Sequence, residues 1–186
     1  MINSDLFRGE RIFLRELNSR DIDDRYLSWF KSNSQVTEFL ESKDLTYESV
    51  TKFIQDGKET KSFFIYAICM LDSNLHIGNL KIGNIDKNHM ISDLVVVIGD
   101  QNFWRKGIAT EAIKLGNQIA FEIYDIRKLS GGMYSDNIAS IKCYTKAGWV
   151  EEARLKGHYL LNGKVLDRVC VSCFNPKYFK LDQKEN

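Results

Sequence analysis

Residues 91–123 read ISDLVVVIGDQNFWRKGIATEAIKLGNQIAFEI, and the fold turns on them. The first part, Ile91–Ile98, is a strand signal with Val95, Val96 and Val97 in succession. An unbroken β-branched run predicts a strand buried on both faces. The last part carries Ile108, Ala112, Leu115, Ile119 and Ile123 in steps of four, three, four and four. That is one apolar stripe on an α-helix of about four to five turns. Between strand and helix lies Trp104-Arg105-Lys106-Gly107-Ile108-Ala109. A helix N-terminus offers unpaired N–H groups and the positive end of the helix dipole. Gly107 lets the backbone approach a ligand closely, and Arg105 and Lys106 add positive charge. Together these features make a cradle for a diphosphate. The plain alternative is a solvated basic turn that opens a helix. Neither Gly-x-x-x-x-Gly-Lys-Ser/Thr nor Gly-x-Gly-x-x-Gly occurs, which excludes the nucleoside-triphosphatase loop and the dinucleotide fingerprint.

Working outward, Arg11–Leu17 reads as a strand. Asn18 or Ser19 then caps a helix that carries Ile22, Tyr26, Trp29 and Phe30. Thr46 caps a second helix with Val50, Phe53 and Ile54 on one face. Phe63–Leu71 and Leu75–Ile85 are two strands joined by an Asp72-Ser73-Asn74 turn. Downstream, Lys128–Tyr134 is a strand. Asn137 opens a short helix that ends near Ala147, with Gly148 just beyond. Strands around Trp149–Leu155 and Val165–Phe174 follow, and the tail Lys180–Asn186 reads as frayed. This order predicts a mixed α/β, or α+β, fold with a largely antiparallel first half.

A second constellation lies within Asp136–Trp149. Asn137, Ser140 and Tyr144 stand at i, i+3 and i+7, along one helix face. Ile138 and Ile141 fall on a neighbouring face that can meet the core. The plain alternative is a polar stripe facing solvent.

Composition bounds the rest. A chain of 186 residues with 44% hydrophobic content predicts one compact domain with a sizeable core. Lys and Arg number 26 against 25 Asp and Glu, a net charge of +1. That balance argues against a nucleic-acid binder. No run approaches the length of a membrane span. The first twenty residues carry Asp5, Arg8, Glu10, Arg11, Arg15, Glu16 and Arg20. They hold no apolar signal run, so a cytoplasmic location is expected. The four cysteines, Cys69, Cys143, Cys170 and Cys173, include only one close pair. On a strand, residues three apart point to opposite faces, so Cys170 and Cys173 do not make a metal site.

The two constellations, about thirty residues apart in this order, resemble the GNAT superfamily of acyl-CoA-dependent N-acyltransferases. The likeness runs from about Gly9 to Phe174. The opening Arg11-Ile12-Phe13-Leu14-Arg15-Glu16-Leu17, followed by Asp21, is similar to one branch of that family. The branch includes ribosomal-protein, polyamine and amino-sugar acetyltransferases. The resemblance implies a mixed, mainly antiparallel central sheet flanked by helices. Two positions depart from the family's diphosphate signature: Trp104 stands where Arg or Gln is usual, and Arg105 where Gly is frequent.

The resemblance implies direct acetyl transfer from acetyl-CoA to an amine, with no metal. The diphosphate would lie on Arg105, Lys106, Gly107, Ile108, Ala109 and Thr110. The thioester carbonyl would be polarised near Ile98 and Gly99, and the pantetheine arm held by that strand, Asn137 and Ser140. Tyr144 stands at the position of the family's general acid. A lysine-type amine of pKa about 10.4 must lose a proton before it attacks. Asp93 is the first candidate base and His89 the second. A strand-edge carboxylate, a turn histidine and water-relayed deprotonation are the alternatives.

By the same resemblance, the acceptor would lie among Tyr26, Trp29, Phe30, the Glu38–Glu41 region and the Asp86–Met90 loop with His89. The aromatics have a core reading as well. The local pattern is similar to amino-sugar acetyltransferases, so a nucleotide-linked amino sugar is the expected acceptor. A ribosomal-protein N-terminus and a polyamine are the alternatives. A non-catalytic acyl-CoA-binding module is a second class. A homodimer paired through the exposed final strand is a further possibility.

Overall fold

The computed structural model describes residues 7–179; the frayed-tail expectation and Asp5 lie outside them. Eight strands form one sheet in the order β1-β2-β3-β4-β5-β6-β8-β7. They are β1 (Phe7–Arg8), β2 (Ile12–Glu16), β3 (Phe64–Met70), β4 (His76–Ile82), β5 (Ile91–Ile98), β6 (Lys128–Tyr134), β7 (Val150–Leu161) and β8 (Lys164–Phe174). The helices are α1 (Asp24–Trp29), α2 (Tyr47–Thr60), α3 (Ile108–Gln118) and α4 (Ile138–Lys146). All neighbouring strands pair antiparallel except β5 with β6, which α3 joins. A parallel pair needs such a crossover, whereas antiparallel neighbours close through short turns.

Two hydrophobic clusters cover the two sheet faces. One packs α3 and α4 through Ile108, Ala112, Ile113, Ile119, Tyr144 and Ala147 against Leu80, Leu94, Leu129 and Trp149. The other packs α1 and α2 through Tyr26, Trp29, Val50 and Ile54 against Phe13, Ala67 and Cys69. Strand alternation sends neighbouring residues of β5 and β6 to opposite faces. Leu94 and Leu129 therefore meet α3 and α4, while Asp93, Ser130, Gly132 and Tyr134 face the other way. Cys173 joins the first cluster and Cys170, three residues away, lies on the opposite face.

Four local expectations are corrected. The helix expected after Asn18 is split in two. Asn18 and Asp21 cap each other around a single 3-10 turn, Ser19–Asp21. Asp23 then caps a new helix by accepting from the Tyr26 N–H at 2.7 Å. Two carboxylates compete to begin a helix, and Arg15 fixes the first by a two-point bond to Asp21. The Val95–Val97 run is not buried on both faces: Val95 is 39% exposed, because neither α1 nor α2 covers that part of the sheet. The stripe on α3 stays α-helical to Gln118 and continues as a π-helical turn over Ile119–Ile123, leaving Ile123 exposed. Ile138 is half exposed, and α4 reaches the core only from Ile141 onward.

Gly99, at the end of β5, lies beneath the Trp29 indole, and a Cβ there would overlap the ring. Overpacking of a filled core costs about 1–3 kcal/mol. Gly99→Ala is expected to lower the melting temperature by several degrees in a thermal scan. An unchanged midpoint would show that Trp29 yields freely.

Candidate active site

The site is a fork in the sheet. β5 and β6 pair only at Ile91↔Lys128, Ser92↔Leu129 and Asp93↔Ser130. Beyond that point β5 keeps its partner β4 as far as Ile98, and β6 keeps β8 as far as Tyr134. Successive residues of a strand turn their peptide groups to opposite neighbours. The Gly99 N–H donates to the Ile77 carbonyl at 2.9 Å, and the Asp93 carbonyl accepts from the Gly83 N–H at 3.1 Å. Odd-numbered residues of β5 therefore serve β4, and Leu94, Val96 and Ile98 turn their peptide groups into the fork. The Ile98 carbonyl takes the Trp104 indole N–H at 2.7 Å, and the Leu94 carbonyl takes the Tyr144 hydroxyl at 2.8 Å. The Ile98 N–H and the Val96 carbonyl are left facing the opening. Gly99 is thus not the carbonyl-polarising donor expected; its N–H is committed to β4.

Tyr144 reaches this gap from α4. Its ring packs edge-on against Trp149 at 4.8 Å, and it is buried. Burial pushes its pKa above the ordinary tyrosine value, so the phenol stays protonated at neutral pH. The Val96 N–H opposes that shift by favouring the ionised form. Asn137 caps α4 by accepting from the Ser140 N–H at 3.2 Å, which leaves its amide NH₂ to donate elsewhere.

The basic turn is shaped by two left-handed residues, Arg105 (φ 59°) and Gly107 (φ 78°). Position 105 favours glycine on steric grounds, and a side chain there costs about 1–2 kcal/mol. Trp104 anchors the turn to β5 through its indole N–H. Among the described residues no side chain caps α3, so the N–H groups of Ile108, Ala109 and Thr110 keep their donor capacity. Arg11, on the far side, donates to the Lys106 carbonyl at 2.6 Å and to Glu111 at 3.0 Å. That brace pulls one carbonyl away from the turn. Burial raises the Glu111 pKa, but the Arg11 N–H and guanidinium outweigh it and hold the carboxyl below its usual range.

The expected acceptor residues separate. Tyr26, Trp29 and Phe30 are all buried in the second core cluster, with Tyr26 centred 5.5 Å from Trp29 and 5.3 Å from Phe30. They support the site from below and offer no open ring face. His89 is an exposed turn residue whose N–H donates to Asp86 at 3.1 Å. It sits in the turn that precedes β5, at the end of that strand away from the fork. Asp93 stands at the apex of the fork. Burial raises its carboxyl above the usual range, against the pull of Lys81 at 3.5 Å. Its Oδ1 is buried with no hydrogen-bond partner among the described residues.

The aromatic wall near the fork joins Phe39, from the expected Glu38–Glu41 region, to Tyr134 and Tyr159, for which no site role was expected. Tyr134 stacks on Tyr159 at 4.2 Å and lies 5.7 Å from Phe39. Arg168 lies across Gly132, where a Cβ would overlap its guanidinium. Its Cζ is 6.0 Å from the Tyr159 ring centre. The Gly131-Gly132 pair inside a strand was the available signal, because glycine there marks a close approach.

The sequence profile of the acetyltransferase (GNAT) domain matches residues 11–150. The chain belongs to the GNAT acetyltransferase family. It is 22% identical over 181 residues to a probable N-acetyltransferase of Bacillus subtilis, covering 92% of this chain and 98% of that one. It is 25% identical over 173 residues to a spermidine N(1)-acetyltransferase of Vibrio cholerae, covering 93% and 92%. A crystal structure of the Vibrio cholerae spermidine N-acetyltransferase with CoA and spermine superposes with a TM-score of 0.80 at 18% identity, covering 91% and 99%. A ribosomal-protein-S5-alanine acetyltransferase from Vibrio fischeri gives 0.79 at 17% identity, covering 94% and 98%. This GNAT chain is an acetyl-CoA-dependent N-acetyltransferase. The uncapped α3 N-terminus and the left-handed turn at Gly107 suit the diphosphate of that donor. No helix among the described residues is long and apolar enough to cross a membrane.

Asp93 carries a linkage consequence. Its folded pKa is raised, so folding becomes less favourable as pH rises above the unfolded value of about 3.9. Asp93→Asn is expected to be more stable than wild type to denaturant at pH 7. The advantage should shrink below about pH 4, where both states of the wild type are protonated. A pH-independent difference would contradict the assignment.

Proposed function

We propose that this enzyme moves the acetyl group directly to a primary amine of a small molecule, with the chemistry carried out in the β5–β6 fork. The observation that carries this reading is the Tyr144 hydroxyl, held inside the fork beside open peptide groups, with the Asp93 carboxyl at its apex. The donor's diphosphate is assigned to the backbone of residues 105–110, with Arg105 and Lys106 as flanking charge. The pantetheine arm runs along the open edge of β5, with Asn137 as an amide donor and Ser140 beside it. The Ile98 N–H is the donor for the thioester oxygen.

Asp93 takes the proton that the acceptor ammonium must lose, because a raised carboxyl pKa narrows the gap to the amine. Tyr144 gives its hydrogen bond to the departing sulfur, exchanging the Leu94 carbonyl for it. A thiol of pKa about 8.5 is a stronger acid than an ordinary tyrosine of about 10, and burial widens the difference. Tyr144 therefore acts first as a hydrogen-bond donor, and any proton it yields is replaced from the acceptor side.

The names of the relatives support the polyamine alternative better than the nucleotide-linked amino sugar expected from sequence. The Vibrio cholerae enzyme compared above, in sequence and in crystal structure, is named for spermidine, and none of the compared proteins is named for an amino sugar. At 25% identity or less, those names bear on the chemistry more than on the acceptor.

The test is thiol release from acetyl-CoA with spermidine, nucleotide-linked amino sugars and ribosomal N-terminal peptides as acceptors. Tyr144→Phe is expected to lower kcat by about 100-fold, within the range of acid–base catalysis, while acetyl-CoA affinity by calorimetry stays within about threefold. A variant with full kcat would remove Tyr144 from the mechanism. Acetyl-CoA that fails to bind wild type would remove the reading as a whole.

A further inference from the structure

We infer that the acceptor of this enzyme carries an anionic group, a phosphate or a carboxylate, in addition to its amine, and that Arg168 recognises that group. This rests on the acetyl-transfer reading and narrows it.

Two polar side-chain atoms without a hydrogen-bond partner lie on one face of the sheet. Arg168 Nε and Asp93 Oδ1 are the buried side-chain atoms left without a hydrogen-bond partner among the described residues. A buried polar atom without a hydrogen-bond partner is costly, so such atoms are normally satisfied by protein, water or ligand; the other Asp93 oxygen is held by Lys81 at 3.5 Å. Register puts them together. Asp93 pairs with Ser130, Ser130 with Ser172, Gly132 with Cys170, and Tyr134 with Arg168. Paired residues share a face, and Leu94 and Leu129 occupy the opposite one. The guanidinium lies over Gly132, two residues beyond Ser130 and one strand across from Asp93. That geometry separates the two charges by roughly 8–10 Å.

The surroundings suit a small polar molecule between them. Tyr134, Tyr159 and Phe39 form an aromatic wall beside Arg168. Val95 on the same face is exposed. Gly132 gives the guanidinium its seat, and any side chain there would displace it. A planar guanidinium with free N–H groups is a two-point donor for phosphate or carboxylate. An acceptor that places its amine at Asp93 and its anion at Arg168 satisfies both unpartnered atoms at once. A plain polycation satisfies only Asp93 and must bind against Arg168.

The experiment compares wild type with Arg168→Gln and Arg168→Lys, both checked for an unchanged circular dichroism spectrum. Acceptors are offered in matched pairs: a UDP-linked amino sugar against the free amino sugar, a dipeptide acid against its amide, and spermidine alone. Wild type is expected to prefer one anionic member, and the pairs distinguish phosphate from carboxylate. Arg168→Gln should raise KM for that acceptor by about 10–100-fold, the size of a charged hydrogen bond, and leave its kcat within about threefold. KM for acetyl-CoA should not move, and Arg168→Lys should recover part of the loss. A purely structural role would instead lower kcat and disturb both substrates.

Calorimetry supplies a readout that needs no turnover. With the donor site saturated by CoA, inorganic pyrophosphate or succinate should bind wild type and not Arg168→Gln. Spermidine as the best acceptor, an unchanged acceptor KM in Arg168→Gln, or no anion binding to the CoA-loaded enzyme would each overturn the inference. Arg168-dependent anion binding without turnover of any acceptor would leave the inference standing and count against the acetyl-transfer reading.

Discussion

The structure depends on a constraint of strand pairing: β5 and β6 share three rungs and then part. The Leu94 carbonyl and the peptide groups of Val96 and Ile98 have no β-strand partner on that side among the described residues, and buried peptide groups must be satisfied. Two side chains from elsewhere meet part of the demand. The Trp104 indole takes the Ile98 carbonyl and the Tyr144 phenol takes the Leu94 carbonyl. The rest of the edge stays open, where an extended amide-bearing chain can bond as a further strand would. The same opening leaves a slot between the two strands and orients the Tyr144 hydroxyl within it.

The neighbouring elements serve that slot. The turn after β5 takes left-handed conformations at Arg105 and Gly107, which bring the uncapped start of α3 to the end of the fork. Arg11 reaches across from the edge of β2 to brace the turn, and Glu111 holds Arg11 in return. On the opposite face, Trp29 fills the space above Gly99 and fixes the end of β5 from below. Core packing and site geometry are therefore coupled through Gly99, Trp104 and Arg11. The unsatisfied Asp93 and Arg168 atoms cost stability, and such local costs concentrate where a protein binds or reacts.

Some of this was legible along the chain. The 3.6-residue stripe from Ile108, the caps at Asn137 and Thr46 and the turn at Asp72-Ser73-Asn74 are local signals, and local signals survive without tertiary context. The places of Tyr144 on α4 and of Gly107 just before α3 were legible because helix positions follow from short-range spacing. Of the aromatic wall only Phe39 fell in an expected segment, Glu38–Glu41; Tyr134 and Tyr159 come from two further segments that strand register brings beside it. Tyr26, Trp29 and Phe30 have the right chemistry for a binding face, yet their helix turns them into the core. Spacing of three and four identifies a face and does not say what covers it.

The sequence by itself determined the element order, the basic turn before α3 and the placement of Tyr144 on α4, because helix caps, periodicity and glycine punctuation act over a few residues. Only the tertiary structure decided which peptide groups face the fork. That depends on the pairing parity of β5 with β4, set by contacts far apart in sequence. It also decided that Gly99 serves Trp29 rather than the thioester, that His89 lies at the wrong end of β5, and that Asp93 and Arg168 share one face. Burial and register are properties of the assembled sheet, and a single strand read alone does not contain them.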